Sequence, residues 1–465
     1  MHAAEHFGIV GGGLLGMTLA LRLAQRGQRV SLLEASDRLG GLADAWQLGD
    51  VTWDRHYHVT LLSDSHLRGL LSELDLDRHM QWVQTRTGFL VDGRLHSLSN
   101  TWEFLKFPPL GLIGKLRLGW TIWHASRTRD WRKLEQIPVA DWLIRHSGKQ
   151  TFERIWLPLL KAKLGDAWQR TSAAFMWATI QRMYAARKSG LKREMFGYLP
   201  GGYARMLAAF RRRLEELGVT IHTGCGVEEI RGEAGAITIR TAGGQSLRFD
   251  RAIVTAPAPV AARLCPQLST QERACLTGVE YLGIVCASLL LRKPLSDFYV
   301  TNITDPAPFT GVIEMSALVD KAQFGGRSLV YLPKYAAPSD PVWQKSDDDI
   351  RTEFLAALSR LYPAFEPADV LAFKVSRVRQ VFALSTLQYS LRVPPVETSL
   401  PGLFLVNSSQ IVNGTLNVNE TVRLAEAALP TVLQPPALSP AVSARAAEAR
   451  ESEASPREAE VLSLH

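Results

Sequence analysis

Residues 7–41 read FGIVGGGLLGMTLALRLAQRGQRVSLLEASDRLGG, and no other stretch restricts the fold so tightly. Phe7 to Val10 form a short apolar run. Gly11, Gly13 and Gly16 complete G-x-G-x-x-G, and Leu14 to Arg26 carry apolar residues at helical spacing. The order predicts a strand, a tight turn and a helix. Gly11 permits the turn, Gly13 lets backbone N–H groups approach a pyrophosphate, and Gly16 allows close helix–strand packing. The helix start adds a partial positive charge. After Gly27, Arg29 to Leu33 predict a second strand ending in Glu34, about 20 residues past the first glycine, where a carboxylate accepts ribose hydroxyls. A glycine turn alone would be weak evidence; with strand, helix and acidic terminus in order, it predicts an adenine dinucleotide site.

Asp37-Arg38-Leu39-Gly40-Gly41 follows directly. A second Gly-Gly with a nearby arginine, just past the acidic residue, resembles the two-part FAD fingerprint of the amine oxidase, protoporphyrinogen oxidase and phytoene desaturase superfamily. Three further blocks carry the resemblance. Tyr198-Leu199-Pro200-Gly201-Gly202-Tyr203 is similar to the family's Pro-x-Gly-Gly element, followed by a helix over Ala204 to Leu217 and a strand over Val219 to Ile221. Asp250 to Pro257 resembles the strand and turn that return the chain to the FAD domain, and Gly402 to Val406 with Asn413 to Ala428 resembles the closing strand and helix. Two positions depart from the pattern. Leu42 stands where many members have arginine, and Asn407-Ser408 replaces Gly-Asp, so a neutral amide takes the place of a carboxylate.

The resemblance implies an α/β chain: a discontinuous Rossmann-type FAD-binding domain (1–60, 198–275 and 395–432) with an α+β substrate domain (61–197 and 276–394). It implies non-covalent FAD contact at Gly11, Gly13, Leu14, Leu15, Gly16, Glu34, Ala35, Arg38, Gly40, Gly41, Leu42, Val227, Asn407, Asn419, Thr421 and Val422. Asn417 or Asn419 can cap the last helix, whose positive end, aimed at the flavin's pyrimidine side, would stabilise the anionic reduced ring.

At 465 residues and 46% apolar content the chain can bury a large core, and its length predicts two interleaved domains. Cys225, Cys265, Cys275 and Cys286 show no metal spacing or C-x-x-C pair, which fits a reducing cytosol. Met1 to His6 has no apolar signal core, and no apolar run reaches the roughly 18 residues needed to span a bilayer. A cytoplasmic protein is expected, with any membrane contact peripheral and on the inner face. Residues 434–465, rich in Pro, Ala, Ser, Glu and Arg, read as a disordered appendage. The formal net charge of +8 favours anionic partners, but no nucleic-acid recognition module is present and none is expected to bind.

Substrate is read from the middle of the chain. Nine of the 12 tryptophans lie between Trp82 and Trp177, and Leu105 to Trp123 is apolar and followed by Arg127, Arg129, Arg132 and Lys133. Such a surface suits the headgroup boundary of an anionic membrane; the competing reading is a helical core with a solvated basic edge. Trp53-Asp54-Arg55-His56-Tyr57-His58 sits where the superfamily enters its flavin and substrate cavity. If extended, it puts Asp54, His56 and His58 on one face, and either histidine could move a proton there; bound instead to backbone carbonyls, these residues would simply satisfy a buried polar edge. Lys163 could hold an anionic group or a water, and Arg205, Arg377 and Arg379 could hold a carboxylate or phosphate. No third ligand accompanies the histidines, so no metal is expected. Asp92-Gly93 reads as a hairpin turn.

The resulting expectation is an FAD-dependent oxidoreductase that removes hydride from a bulky, mostly apolar substrate, protoporphyrinogen-oxidase-like or carotenoid- or terpenoid-desaturase-like, with an acceptor that the sequence does not name. Two alternatives stay open. The N-terminal unit and the histidine-rich segment also resemble UDP-galactopyranose mutases, and the departures at Leu42 and Asn407 leave room for a flavoprotein without turnover.

Overall fold

The computed structural model describes residues 4–99, 101–187, 195–412 and 414–434. Strands His6–Val10, Arg29–Leu33, Thr220–His222, Arg251–Val254 and Leu403–Leu405 form one parallel sheet, with His6–Val10 between Arg29–Leu33 and Arg251–Val254. Their apolar runs do not alternate because most of these positions are covered on both sides, as parallel sheets require. Helices Leu14–Ala24, Gly202–Glu216 and Val418–Leu433 cover one face through Met17, Phe210 and Val422. The antiparallel strands Val227–Glu233, Ala236–Thr241 and Ser246–Phe249 cover the other through Ile230, Ile237, Ile239 and Phe249.

A second sheet has seven strands, in the order Val370–Ala383, Tyr281–Leu291, Ser328–Ala336, Gly311–Glu314, Val300–Ile303, Thr87–Val91, Arg94–Ser97. It is antiparallel except where Val300–Ile303 runs parallel to Thr87–Val91. The Asp92-Gly93 turn joins the last two strands with φ of 51° and 71°, the paired positive values of a type I′ turn. Helix Asp347–Leu361 packs on this sheet through Ile350, Phe354 and Leu358. Helices Leu112–Arg127, Val139–Ser147 and Ala173–Arg187 build a helical layer beside it.

The tryptophan-rich region is core only in part. Trp142 and Trp177 are buried in the helical core, and Trp131, Trp156 and Trp168 pack against it. Trp102, Trp120 and Trp123 stand in solvent. The last helix, expected within Asn413 to Ala428, spans Val418–Leu433, because Asn417 Oδ1 accepts the Glu420 N–H and fixes the start. Apart from Gln434, the appendage expected after the last helix lies outside the described residues, as does Asn413.

Candidate active site

The glycine turn is built as its residue types require. Gly11 has φ of 112°, and a Cβ there would lie 2.3 Å from Thr255 Oγ1; a Cβ on Gly16 would lie 1.9 Å from the Gly11 carbonyl oxygen. Gly13 is different. A Cβ on it would meet only Gly41 Cα, at 4.0 Å. Gly13 therefore opens a cradle rather than a packing contact. It is the N-cap of helix Leu14–Ala24, no side chain caps that helix, and the N–H groups of Leu14 and Leu15 lack intrahelical partners. Gly40 donates its N–H to the Gly12 carbonyl at 2.9 Å, which sets the second Gly-Gly against the first.

Glu34 ends its strand as expected, but its carboxylate is already engaged. Oε2 accepts the Gly12 N–H at 2.6 Å, and Oε1 accepts the Ser36 N–H and hydroxyl, both at 2.8 Å. A carboxylate has about four lone-pair positions, so about one remains for a ribose hydroxyl instead of two. Cys225 donates its N–H to the Glu34 carbonyl and Gly224 to that of Ser36, so the segment leading to Val227 lies beside this edge.

Arg38 is exposed and lies 3.3 Å from Asp44. Where the sequence offers Leu42 instead of arginine, the fold brings another guanidinium. Arg55 donates from Nη2 to the Gly41 carbonyl at 2.9 Å, while its buried Nε has no hydrogen-bond partner. At the far edge of the sheet Asn407 is fully buried. Its Oδ1 accepts the Ser409 N–H and hydroxyl, and its Nδ2 has no partner, an unmet buried donor just past the closing strand. The open cradle at Gly13, the Arg55 cation and the Asn407 donor suit a phosphate-bearing dinucleotide.

The closing helix is only partly as expected. Asn417 caps it. Asn419 serves a different helix, for its Oδ1 accepts the His66 and Leu67 N–H groups at the start of Ser65–Glu73. Thr421 donates its hydroxyl back to the Asn417 carbonyl, and the Val422 side chain lies in the core. The N–H groups at the start of this helix that no side chain caps stay available to a ligand.

The Trp53-to-His58 segment is not one strand. Strand Val51–Asp54 ends at a bend, so the side-chain alternation that would align Asp54, His56 and His58 stops there. Asp54 Oδ1 accepts the Tyr203 N–H at 2.7 Å, capping helix Gly202–Glu216, and Oδ2 lies 3.4 Å from His58 Nδ1. The His58 ring stacks on Tyr203 with centroids 4.7 Å apart, at a small cavity that Tyr198 and Met315 also line. His56 turns away. Its Nδ1 meets the Leu42 carbonyl at 3.2 Å and its Nε2 the Ser376 hydroxyl at 3.1 Å. Burial, then the neighbouring His58, pushes its pKa down to about 3, so it is a neutral strut between the turn Gly41–Ala43 and strand Val370–Ala383 and not a proton shuttle.

Lys163 joins an aromatic wall that the sequence did not announce. Its ammonium lies 5.1 Å from the Tyr335 ring centre and 6.0 Å from that of Phe382. Tyr335 and Tyr57 share a hydroxyl–hydroxyl hydrogen bond of 2.8 Å. Burial raises the Tyr57 pKa well above its ordinary value, which keeps it a phenol. Residues 57, 163, 335 and 382 come from four separate segments, and no local pattern links them. The other cations are engaged elsewhere: Arg377 with Asp347 at 2.5 Å, Arg379 over the Trp343 ring, and Arg205 toward the Pro200 carbonyl. Among the described residues no group of three metal-ligating side chains converges.

Residues 16–422 match the family model described as flavin containing amine oxidoreductase. A zeta-carotene desaturase from Synechocystis sp. is 23% identical, with 86% of this chain and 91% of the relative covered. A crystal structure of a putative protoporphyrinogen oxidase from Exiguobacterium sp. is similar with a TM-score of 0.73 and 18% identity, over 92% of this chain and 99% of that one. A reduced UDP-galactopyranose mutase reaches a TM-score of 0.71 at 16% identity, over 93% and 94% of the two chains. The fold alone thus admits both redox and mutase chemistry.

Proposed function

This chain belongs to the flavin containing amine oxidoreductase family and is an FAD-dependent oxidoreductase, and from that premise we propose that it removes hydride from a C–H or C–N bond of a bulky, mostly apolar substrate. The observation that carries this reading is the wall of Tyr57, Tyr335 and Phe382 around Lys163, apolar in its rings and polar at few points. Its chemistry favours a large lipophilic molecule over a small diamine or a nucleotide sugar. The near full-length likeness to a carotenoid desaturase supports the same class.

The cradle from Gly11 to Gly16, with Leu14 and Leu15 N–H groups, Gly40 and Gly41, would hold the pyrophosphate, Arg55 would supply the positive charge that Leu42 lacks, and Glu34 would accept a ribose hydroxyl. Ala35, Arg38 and Val227 would edge the adenine end. Asn407 Nδ2 and the N-terminal turn of Val418–Leu433 would face the flavin end. Bound FAD supplies a reversible hydride acceptor. The protein's own part is to orient the substrate on the aromatic wall, exclude water and hold a proton at Lys163 or at His58, whose ring Asp54 and Tyr203 fix. A lipophilic substrate of this class would be drawn from a membrane surface.

Anaerobic visible spectra of the purified holoprotein, before and after addition of a polyene, a porphyrinogen, an amine and a UDP-sugar, test the reading. Bleaching at ~450 nm, where oxidised flavin absorbs, by the polyene or porphyrinogen alone is the expected result. Bleaching by the amine alone would replace the substrate class, while a UDP-sugar that binds only the reduced protein would favour the mutase. Reduction by none of them would favour a flavoprotein without turnover.

A further inference from the structure

We propose that helix Leu112–Arg127, with the short helix Thr101–Lys106 beside it, docks this protein on an anionic phospholipid surface. Helix Leu112–Arg127 is apolar on two faces. Leu118, Thr121 and Ala125 turn inward onto the helical layer. Ile113, Leu116, Trp120 and Trp123, spaced by three, four and three residues, line the outer face with Leu112. These side chains are 73%, 67%, 52%, 46% and 69% exposed in that order. The outer face of a water-bound helix is ordinarily polar. Together with Trp102 and Leu105 they make up seven of the thirteen large apolar side chains that stand exposed among the described residues. The patch is therefore local, not a general property of the surface.

The patch is firmly mounted. Phe107 and Leu110, just before the helix, are buried with Val91, Leu118 and Ile155 in their own cluster. Its rim is cationic. Lys106, Lys115, Arg117, Arg127, Arg129, Arg132 and Lys133 fall within residues 105–133 against one acid, Asp130. Trp120 and Trp123 stack at 4.9 Å, and the Arg127 guanidinium lies 5.5 Å from the Trp123 ring. Tryptophan is at home in the headgroup layer, and lysine and arginine are drawn to an anionic leaflet. The same rim would repel a second copy of itself, which selects a lipid surface over self-association. No described helix is long and apolar enough to cross a membrane, so the docked helix lies in the interface plane.

The surface deepens the proposed lipophilic-substrate reading by supplying its source, but its binding does not depend on turnover. The test is co-sedimentation of the FAD-loaded protein with vesicles of phosphatidylcholine, with and without about 30% phosphatidylglycerol. The wild type is expected to bind the anionic vesicles, with a blue shift of tryptophan emission, and to be released as salt approaches about 0.5 M. Ile113→Asp with Leu116→Asp should lower binding at least about tenfold, with flavin content and melting temperature unchanged because both positions are exposed. Arg129→Glu with Lys133→Glu should weaken anionic binding while leaving neutral vesicles unaffected. The proposal is overturned if the wild type ignores anionic vesicles, if Ile113→Asp/Leu116→Asp binds as well as the wild type, or if that variant instead abolishes a dimer seen without lipid. Binding that persists when no apolar substrate bleaches the flavin would sink the substrate reading and leave the surface standing.

Discussion

Asp54 uses its carboxylate twice, on the Tyr203 N–H and beside His58, and it is buried. Removing it leaves the Tyr203 N–H unmet and takes the neighbouring carboxylate from His58. Asp54→Ala is expected to cost about 2–4 kcal/mol in chemical unfolding, and Asp54→Asn less, since the amide oxygen can still cap the helix. Glu314 is also buried, and its Oε2 accepts the Leu295 N–H at 3.0 Å. Burial raises its pKa from 4.5 to about 7. The folded state therefore holds a proton that the unfolded state releases, so this contribution to stability is complete below the ordinary glutamate range and lost as pH rises through about 7. Glu314→Gln should flatten the melting-temperature profile between those limits; an unchanged slope would refute the assignment. Neither role was legible from sequence. Alternation sets Asp54 on a three-residue face and nothing local marks Glu314, because burial is set by elements distant in the chain.

Two glycines of one turn differ in what they exclude. Gly16→Ala drives a methyl into the Gly11 carbonyl, so it should destabilise the protein without ligand by about 3 kcal/mol or more. Gly13→Ala meets no protein atom closer than 4.0 Å. It should leave the melting temperature of the FAD-free protein near wild type while weakening FAD binding by about tenfold or more, read as flavin retained after gel filtration. Arg55→Ala should likewise lower FAD affinity, by a similar factor that shrinks as salt screens the charge; unchanged affinity would show that the Leu42 departure is left uncompensated. The turn was legible because strand, glycines and helix are contiguous. Asn417 was legible as a cap for the same reason, since its partner is three residues on. Asn419, whose partners are His66 and Leu67, was not.

Across the whole molecule, Arg251 ties the beginning, middle and end of the chain. Its Nη2 donates to Glu5, and its Nη1 donates to the Val432 and Gln434 carbonyls at the end of the last helix. Arg251→Met should cost about 3 kcal/mol in urea unfolding, because several acceptors lose a buried charged donor. The blocks that pointed to FAD return to one parallel sheet for a local reason: each strand announces itself as an apolar run beside a glycine or a turn. Sequence by itself determined this sheet, its dinucleotide turn and the family, since contiguous patterns encode them. It also supplied the tryptophans and cations of the middle region, but only tertiary packing sorted buried Trp142 from exposed Trp120 and Trp123. The same packing turned His56 into a strut, brought Arg55 to Gly41 and gathered Lys163, Tyr335 and Tyr57. These contacts join segments far apart in sequence, and periodicity carries no information about which distant surfaces will meet.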